Sequence, residues 1–183
     1  MATESKNLNL GTSIIDFDLF NPKLNKNQKL NELKGKKGTL IIFMCNHCPY
    51  VVHIIEKLSK IADEYIAKGI AFIGINSNDI KNYPEDSPEN MVKFANKYNI
   101  NFPYLFDESQ ETARAYDAAC TPDFYLYDSN DKLVYHGRFD ASRPNSGIPV
   151  TGEELCRAMN YLLDGREIDF PQYNSIGCSI KWK

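Results

Sequence analysis

The sequence predicts an α/β fold in which a central mixed β-sheet is flanked by helices, with an N-terminal strand extension and an inserted helix. Three observations carry this. First, residues 39–44 (TLIIFM) and 70–75 (IAFIGI) are continuous apolar runs with the length and β-branched content of strands buried on both faces. Second, Val51, Ile55, Leu58, Ala62 and Tyr65 form one helical stripe between those runs, thickened by Ile54 and Ile61, while Glu56, Lys57, Lys60, Asp63, Glu64 and Lys68 take the rest of the surface. Strand, helix and strand make a βαβ unit. Third, residues 124–127 and 133–136 read as two strands joined by the hairpin signal Ser129-Asn130-Asp131.

The remaining elements follow in order. Residues 14–20 read as a short strand, and a turn at Asn25-Lys26-Asn27 leads to a weak strand at Lys29-Leu30. Lys34-Gly35-Lys36-Lys37-Gly38 punctuates the chain before the first buried run. Gly69 stops the central helix. After a polar, turn-rich stretch, Ser87 is the N-cap of a helix with Pro88 at its first position and Met91, Val92, Ala95 and Tyr98 on its apolar side. A short strand at 103–106 and a short helix at 109–116 come next. Thr151-Gly152-Glu153-Glu154 has the form of a capping box, opening a helix that carries Leu155, Ala158, Met159, Leu162 and Leu163 and ends at Gly165. Residues 166–183 lack a period and read as a C-terminal tail.

At 183 residues the chain reads as a single domain, 1–183, and its eleven Tyr and ten Phe supply ample apolar area for a core. A net charge of −3 with no basic stripe excludes nucleic acid as a partner class. There is no apolar run of membrane length. The first residues, Met1-Ala2-Thr3-Glu4-Ser5-Lys6, show neither the basic nor the apolar segment of a secretory signal, so the expected location is the cytoplasm. Five cysteines there should be mostly reduced, which makes any disulfide transient rather than structural.

The chemistry concentrates at Cys45-Asn46-His47-Cys48. A CxxC alone fits a redox pair, half of a zinc site or chance, and its context favours redox. Cys45 sits where a buried strand ends, and Cys48-Pro49 opens a helix. Unpaired N–H groups at a helix start favour negative charge, so a thiolate there is stabilised, and the thiolate is the nucleophile of disulfide exchange. Cys45, at the strand end and expected to be the more exposed, is assigned the attack; Cys48 is the resolving thiol. His47 would tune the Cys45 thiol. His53 and His136 have no partner argument and read as surface or core polar residues. No motif asks for a cofactor or a metal beyond the cysteines themselves.

This motif after a buried strand, together with Thr121-Pro122 before residues 124–127, resembles the thioredoxin superfamily. The resemblance implies a thioredoxin-like fold with a cis-proline at Pro122 facing the cysteines, and a Thr121 backbone offered to an extended partner segment. The N-terminal strands and the helix inserted between Asn76 and Phe102 resemble the larger peroxiredoxin and TlpA-type branch. The runs Asn82-Tyr83-Pro84-Glu85-Asp86-Ser87-Pro88, Ala119-Cys120-Thr121-Pro122-Asp123-Phe124 and Ile176-Gly177-Cys178-Ser179-Ile180-Lys181-Trp182 resemble a bacterial peroxiredoxin-like group of the AhpC/TSA class, antioxidant enzymes by reputation. The sequence departs from true peroxiredoxins in two places. Ile42 stands where those enzymes carry a Thr three residues before the peroxidatic Cys, and Thr121-Pro122 stands where they carry an Arg. Arg138 and Arg143 are assigned structural pairing.

Cys120 and Cys178 are candidate third thiols. Cys120 is weighed against a small buried residue, and Cys178 against simple anchoring of the tail by Ile176, Ile180 and Trp182. Cys156 reads as packing or surface. The expected function is thiol–disulfide exchange with protein or small-molecule thiols and disulfides, through a mixed disulfide and in the reducing direction. The alternatives are a thiol peroxidase using Cys45 and a thiolate metal-binding module formed by Cys45, Cys48, Cys120 and Cys178.

Overall fold

The computed structural model describes residues 2–183; Met1 lies outside the described residues. Its centre is β4 (Gly38–Phe43), buried along its whole length, with Leu40, Ile41, Ile42 and Phe43 at 0% exposure. It pairs in parallel with β5 (Ile70–Asn76), Ile41 opposite Ile73, and antiparallel with β8 (Asp123–Asp128), Ile42 opposite Phe124. Side chains alternate across a strand, so Leu40, Ile42 and Met44 enter one apolar cluster while Ile41 and Phe43 enter the other. Burial on both faces is the reason this strand reads as an unbroken apolar run.

The full seven-stranded sheet runs β3 (Lys26–Lys29), β2 (Asp18–Asn21), β6 (Tyr104–Phe106), β5, β4, β8 and β9 (Leu133–Gly137). On one face α2 (Pro49–Ala67), α3 (Pro88–Lys97) and α5 (Glu153–Leu163) deliver Val51, Ile55, Leu58, Met91, Leu155 and Met159 to the first cluster. On the other face α1 (Leu30–Leu33) and α4 (Glu111–Ala115) contribute Leu30 and Ala113 to the second, where Tyr116 and Tyr125 pack tilted and edge-on against Phe43 at 5.6 Å. This is the thioredoxin-like arrangement that the resemblance implies. The β2–β3 hairpin is its N-terminal extension, and α3, preceded by a 3-10 turn at Pro84–Asp86, is its inserted helix.

Local chemistry sets the ends of the elements that frame the cysteines. Cys48 is the extended N-cap of α2, and Pro49 takes the first helical position, where its missing N–H costs nothing. Gly69, at φ +100°, ends the same helix in a conformation other residues avoid. The Ser87 hydroxyl accepts the Asn90 N–H at 3.4 Å and caps α3.

Four expectations need correction. The strand expected at 14–20 begins only at Asp18, because the Tyr116 hydroxyl brackets Ile15, donating to its carbonyl at 2.6 Å and accepting its N–H at 3.3 Å in place of a ladder. The weak strand at Lys29-Leu30 is instead Lys26–Lys29, and Leu30, 2% exposed, opens α1 as a core plug. The capping box does not form. The Glu154 carboxylate is taken by Arg138, at 2.6 and 2.8 Å, and Gly152 is the N-cap; Asp140 accepts the N–H groups of Thr151 and Gly152 at 2.7 and 2.6 Å.

The fourth correction matters most for the site. The C-terminal segment is no loose tail, because β10 (Ile176–Ser179) is the middle strand of a second sheet. It pairs antiparallel with β1 (Ala2–Glu4) on one side and with β7 (Cys120–Thr121) on the other. Thr121 is opposite Cys178 and Cys120 is opposite Ser179. Gly177 permits this approach: a Cβ there would lie 1.8 Å from the Thr121 carbonyl oxygen. We therefore expect Gly177→Ala to push β10 off β7. Hydrogen exchange should show faster exchange at residues 176–180 while the β4 amides stay protected. Unchanged protection of β10 would contradict the close fit.

Candidate active site

Cys45 follows β4 after Met44, whose N–H is held by the Ile75 carbonyl at 2.9 Å. The buried strand thus delivers Cys45 to the N-terminus of α2, where Cys48 caps the helix. Thr121 lies against both sulfurs. Its hydroxyl is 3.5 Å from Cys45 Sγ, and its carbonyl accepts from Cys48 Sγ at 3.2 Å. The Thr121–Pro122 peptide bond is cis. Neither sulfur-bearing residue is open to solvent: Cys45 is 1% and Cys48 0% exposed, so the greater exposure expected of Cys45 is not found.

The charge also sits differently from the expectation. The Cys48 thiol is pulled down from 9.0 to about 5, chiefly by the neighbouring Cys45 thiol and then, against the cost of burial, by the surroundings that Cys178, Thr121 and the Val51 backbone provide. The Cys45 thiol is raised well above its ordinary range, by its hydrogen bond to Cys48, by burial and by the nearby Asp86 charge. The pair therefore holds one proton on Cys45 and one negative charge on Cys48. The Thr121 carbonyl opposes this, since it can only accept from the thiol form of Cys48; the donors outnumber it.

Asp86 organises the loop between the cysteines. The 3-10 turn carries its carboxylate, 0% exposed, beneath the motif. Oδ1 accepts the N–H groups of Asn46 at 2.8 Å and His47 at 3.3 Å, and Oδ2 accepts from Asn78 Nδ2 at 2.7 Å. His47 Nδ1 lies 2.7 Å from Oδ2; a carboxylate only accepts, so Nδ1 carries the proton. The His47 ring, a quarter exposed, stacks on Tyr83 at 5.7 Å. Asn46 is fixed from the other side by the Tyr104 hydroxyl at 2.9 Å. Sequence reasoning missed Asp86, Asn78 and Tyr104. The one available signal was the acid in Pro84-Glu85-Asp86, a polar stretch that reads as solvated loop.

Cys45, His47 and Asp86 bring donor atoms within 4.8 Å of one another, the one such group of three among the described residues. The His47–Asp86 hydrogen bond already uses the donor atoms a metal would need. The four-cysteine metal site is not assembled among the described residues.

The other residues singled out are placed as follows. The Thr121 backbone is not open to a partner, because β10 occupies its edge. A cleft is lined by Pro122 together with Tyr50, His53, Ser142 and Arg143. Cys120 is buried, its Sγ turned to the Pro122 and Ser175 carbonyls at 4.0 and 3.9 Å, and burial raises its thiol far above the usual range. Cys178 is half-buried and interacts with the Cys48 sulfur. Cys156 is half-buried on α5. His53 bonds Ser142 at 3.1 Å; His136 is a core residue stacked on Tyr125 and bonded to Asp123 at 3.1 Å. Arg138 pairs with Glu154, whereas Arg143 makes no ion pair among the described residues. Ile42 packs in the core.

Three outcomes follow from this electrostatics. In the reduced protein, thiolate absorbance should rise in a step near pH 5 that Cys48→Ser abolishes and Cys45→Ser moves upward. Because the folded-state value lies below the unfolded one, the reduced protein gains stability as pH rises from about 5 to about 9, complete above that window and absent below it. Denaturation midpoints that track those of Cys48→Ser across the window would contradict the assignment. Asp86→Asn should lower the Cys45 thiol toward its ordinary value by removing the facing charge, as read by its alkylation rate against pH; an unchanged profile would show that the charge does not reach the sulfur.

Comparison with known proteins places this geometry. The family model described as "AhpC/TSA family" matches residues 10–136. A crystal structure of an uncharacterized conserved protein from Geobacillus kaustophilus is 51% identical with a TM-score of 0.98, covering 100% of this chain and 97% of that one. Among curated relatives, the thiol-disulfide oxidoreductase ResA of Halalkalibacterium halodurans is 27% identical over 107 residues, covering 58% of this chain; the chain spans 56% of that relative's length. A thioredoxin family thiol:disulfide interchange protein from Chlorobium tepidum TLS shares the fold, with a TM-score of 0.64 at 16% identity, over 86% of this chain and 99% of that one. The family match covers more than half of the chain, from the N-terminal extension through the cysteine motif to β9, and the protein belongs to the AhpC/TSA family.

Proposed function

We propose that the chain is a thiol–disulfide oxidoreductase working through Cys45-Asn46-His47-Cys48, on protein or small-molecule disulfides, in the reducing direction in a thiol-rich compartment such as the cytoplasm. The observation that carries this is the pair itself: two cysteines at a strand-to-helix junction, each touching Thr121 beside a cis-proline. The ResA relatives, named as thiol-disulfide oxidoreductases, support it.

Cys45 takes the attacking role by passing its proton to the Cys48 thiolate. Its sulfur then displaces one sulfur of the substrate disulfide, and the leaving thiolate takes up a proton. Cys48, the more acidic thiol, loses its proton again and attacks Cys45 Sγ, which closes the Cys45–Cys48 disulfide and releases the second substrate thiol. The substrate gains two electrons and one proton from the pair and a second proton from solvent. A stabilised Cys48 thiolate favours the dithiol, so the pair is a milder reductant than one made of ordinary thiols.

Peroxide reduction fits less well. Ile42 sits in the core where a hydroxyl would be needed, and Arg138 is tied to Glu154 rather than to the Cys45 sulfur.

A resolving-cysteine trap tests the assignment. Cys48→Ser incubated with a model disulfide substrate should accumulate a mixed disulfide at Cys45, whereas Cys45→Ser should accumulate far less. Equal trapping at Cys48 would reverse the roles, and no trapping in either variant would remove the function.

A further inference from the structure

We propose that Cys178 is a third redox thiol, which takes the disulfide over from the Cys45–Cys48 pair and presents it to external thiols for re-reduction. This rests on the function proposed above.

Three structural observations point to it. The first is register: β10 sets Cys178 directly opposite Thr121, the residue that touches both cysteines of the pair. Gly177 makes that approach tight enough to bring the strand against the Thr121 carbonyl and the Pro122 nitrogen. The second is contact: Cys178 packs against the apolar cluster that contains Cys45 and Cys48, whose sulfur bonds the carbonyl of the residue opposite Cys178. The third is access. Cys45 and Cys48 are 1% and 0% exposed, while Cys178, across the strand pair from Thr121, is only partly buried.

The step balances without an added oxidant. Starting from the Cys45–Cys48 disulfide left by substrate reduction, Cys178 Sγ attacks Cys48 Sγ. The Cys48–Cys178 bond forms, the Cys45–Cys48 bond breaks, and the proton lost by Cys178 passes to the departing Cys45 sulfur. An external thiolate then attacks Cys178 Sγ and displaces Cys48. Departure is fast when the leaving thiol is acidic, and Cys48, held at about 5, is the most acidic of the three. A second external thiol completes the reduction at Cys178, so the two external thiols together leave as one disulfide.

The electrostatics give the relay a direction in time. In the reduced protein burial and the neighbouring Cys48 hold the Cys178 thiol up at about 12, so it remains protonated. Oxidation of Cys48 removes its charge, and Lys181 then acts on Cys178 with less opposition.

The test combines disulfide mapping with kinetics. Cys45→Ser treated with oxidised glutathione should yield a Cys48–Cys178 linked peptide by mass spectrometry, and the oxidised wild-type protein should yield both this peptide and the Cys45–Cys48 one. Re-reduction of the oxidised protein by reduced glutathione should slow at least about tenfold in Cys178→Ser, and equally in Cys178→Ala, with circular dichroism confirming that both fold. Absence of the Cys48–Cys178 peptide in Cys45→Ser, or unchanged re-reduction in both Cys178 variants, overturns the relay. If the Cys45–Cys48 peptide forms normally in the oxidised wild-type protein and in the Cys178 variants, only the relay has failed; if it never forms there, the underlying function has failed as well.

Discussion

The site depends on the contact of Thr121 with three cysteines. Its hydroxyl meets Cys45, its carbonyl meets Cys48, and its backbone pairs with the strand that carries Cys178. The cis bond to Pro122 belongs to the same residue pair. Each neighbour arrives by a different route through the fold: Cys45 on the end of the most buried strand, Cys48 on the first turn of α2, and Cys178 on a strand in the second sheet. One residue thereby couples the two sheets to the chemistry.

Charge is distributed around that contact in an ordered way. Asp86 is buried but fully hydrogen-bonded, which is what makes a carboxylate tolerable there. Its position has two effects. It fixes the Asn46-His47 loop by accepting two backbone N–H groups, and it disfavours a thiolate at Cys45. Cys48, turned toward the helix start and surrounded by donors, takes the negative charge instead. The two thiols of one motif thus acquire different roles from their surroundings.

Much of the architecture was legible because it is local. The runs at 39–44 and 70–75 are apolar on both faces because the sheet is covered twice, and the stripe on α2 follows the helical period over nineteen residues. The motif at 45–48 and the proline at 122 were visible for the same reason. What was not legible came from distant partners. The strand at Ile176–Ser179 has no period of its own and is defined by pairing with two-residue and three-residue strands from elsewhere in the chain. The capping box at Thr151 was lost to Arg138, a competitor no local pattern reveals. Asp86 reads as an exposed acid in a polar loop until the fold buries it. The exposure of Cys45 was misjudged because a strand end is open only if no other segment covers it.

The central claim is that Cys45 and Cys48 form a reversible disulfide whose reduced state is stabilised by the Cys48 thiolate. Equilibrium titration of the protein in glutathione buffers of graded poise, with mass mapping of the linked peptides, tests it most directly. The account predicts a Cys45–Cys48 disulfide with a potential above the roughly −270 mV of thioredoxin. A chain that forms no Cys45–Cys48 disulfide at any poise would contradict it.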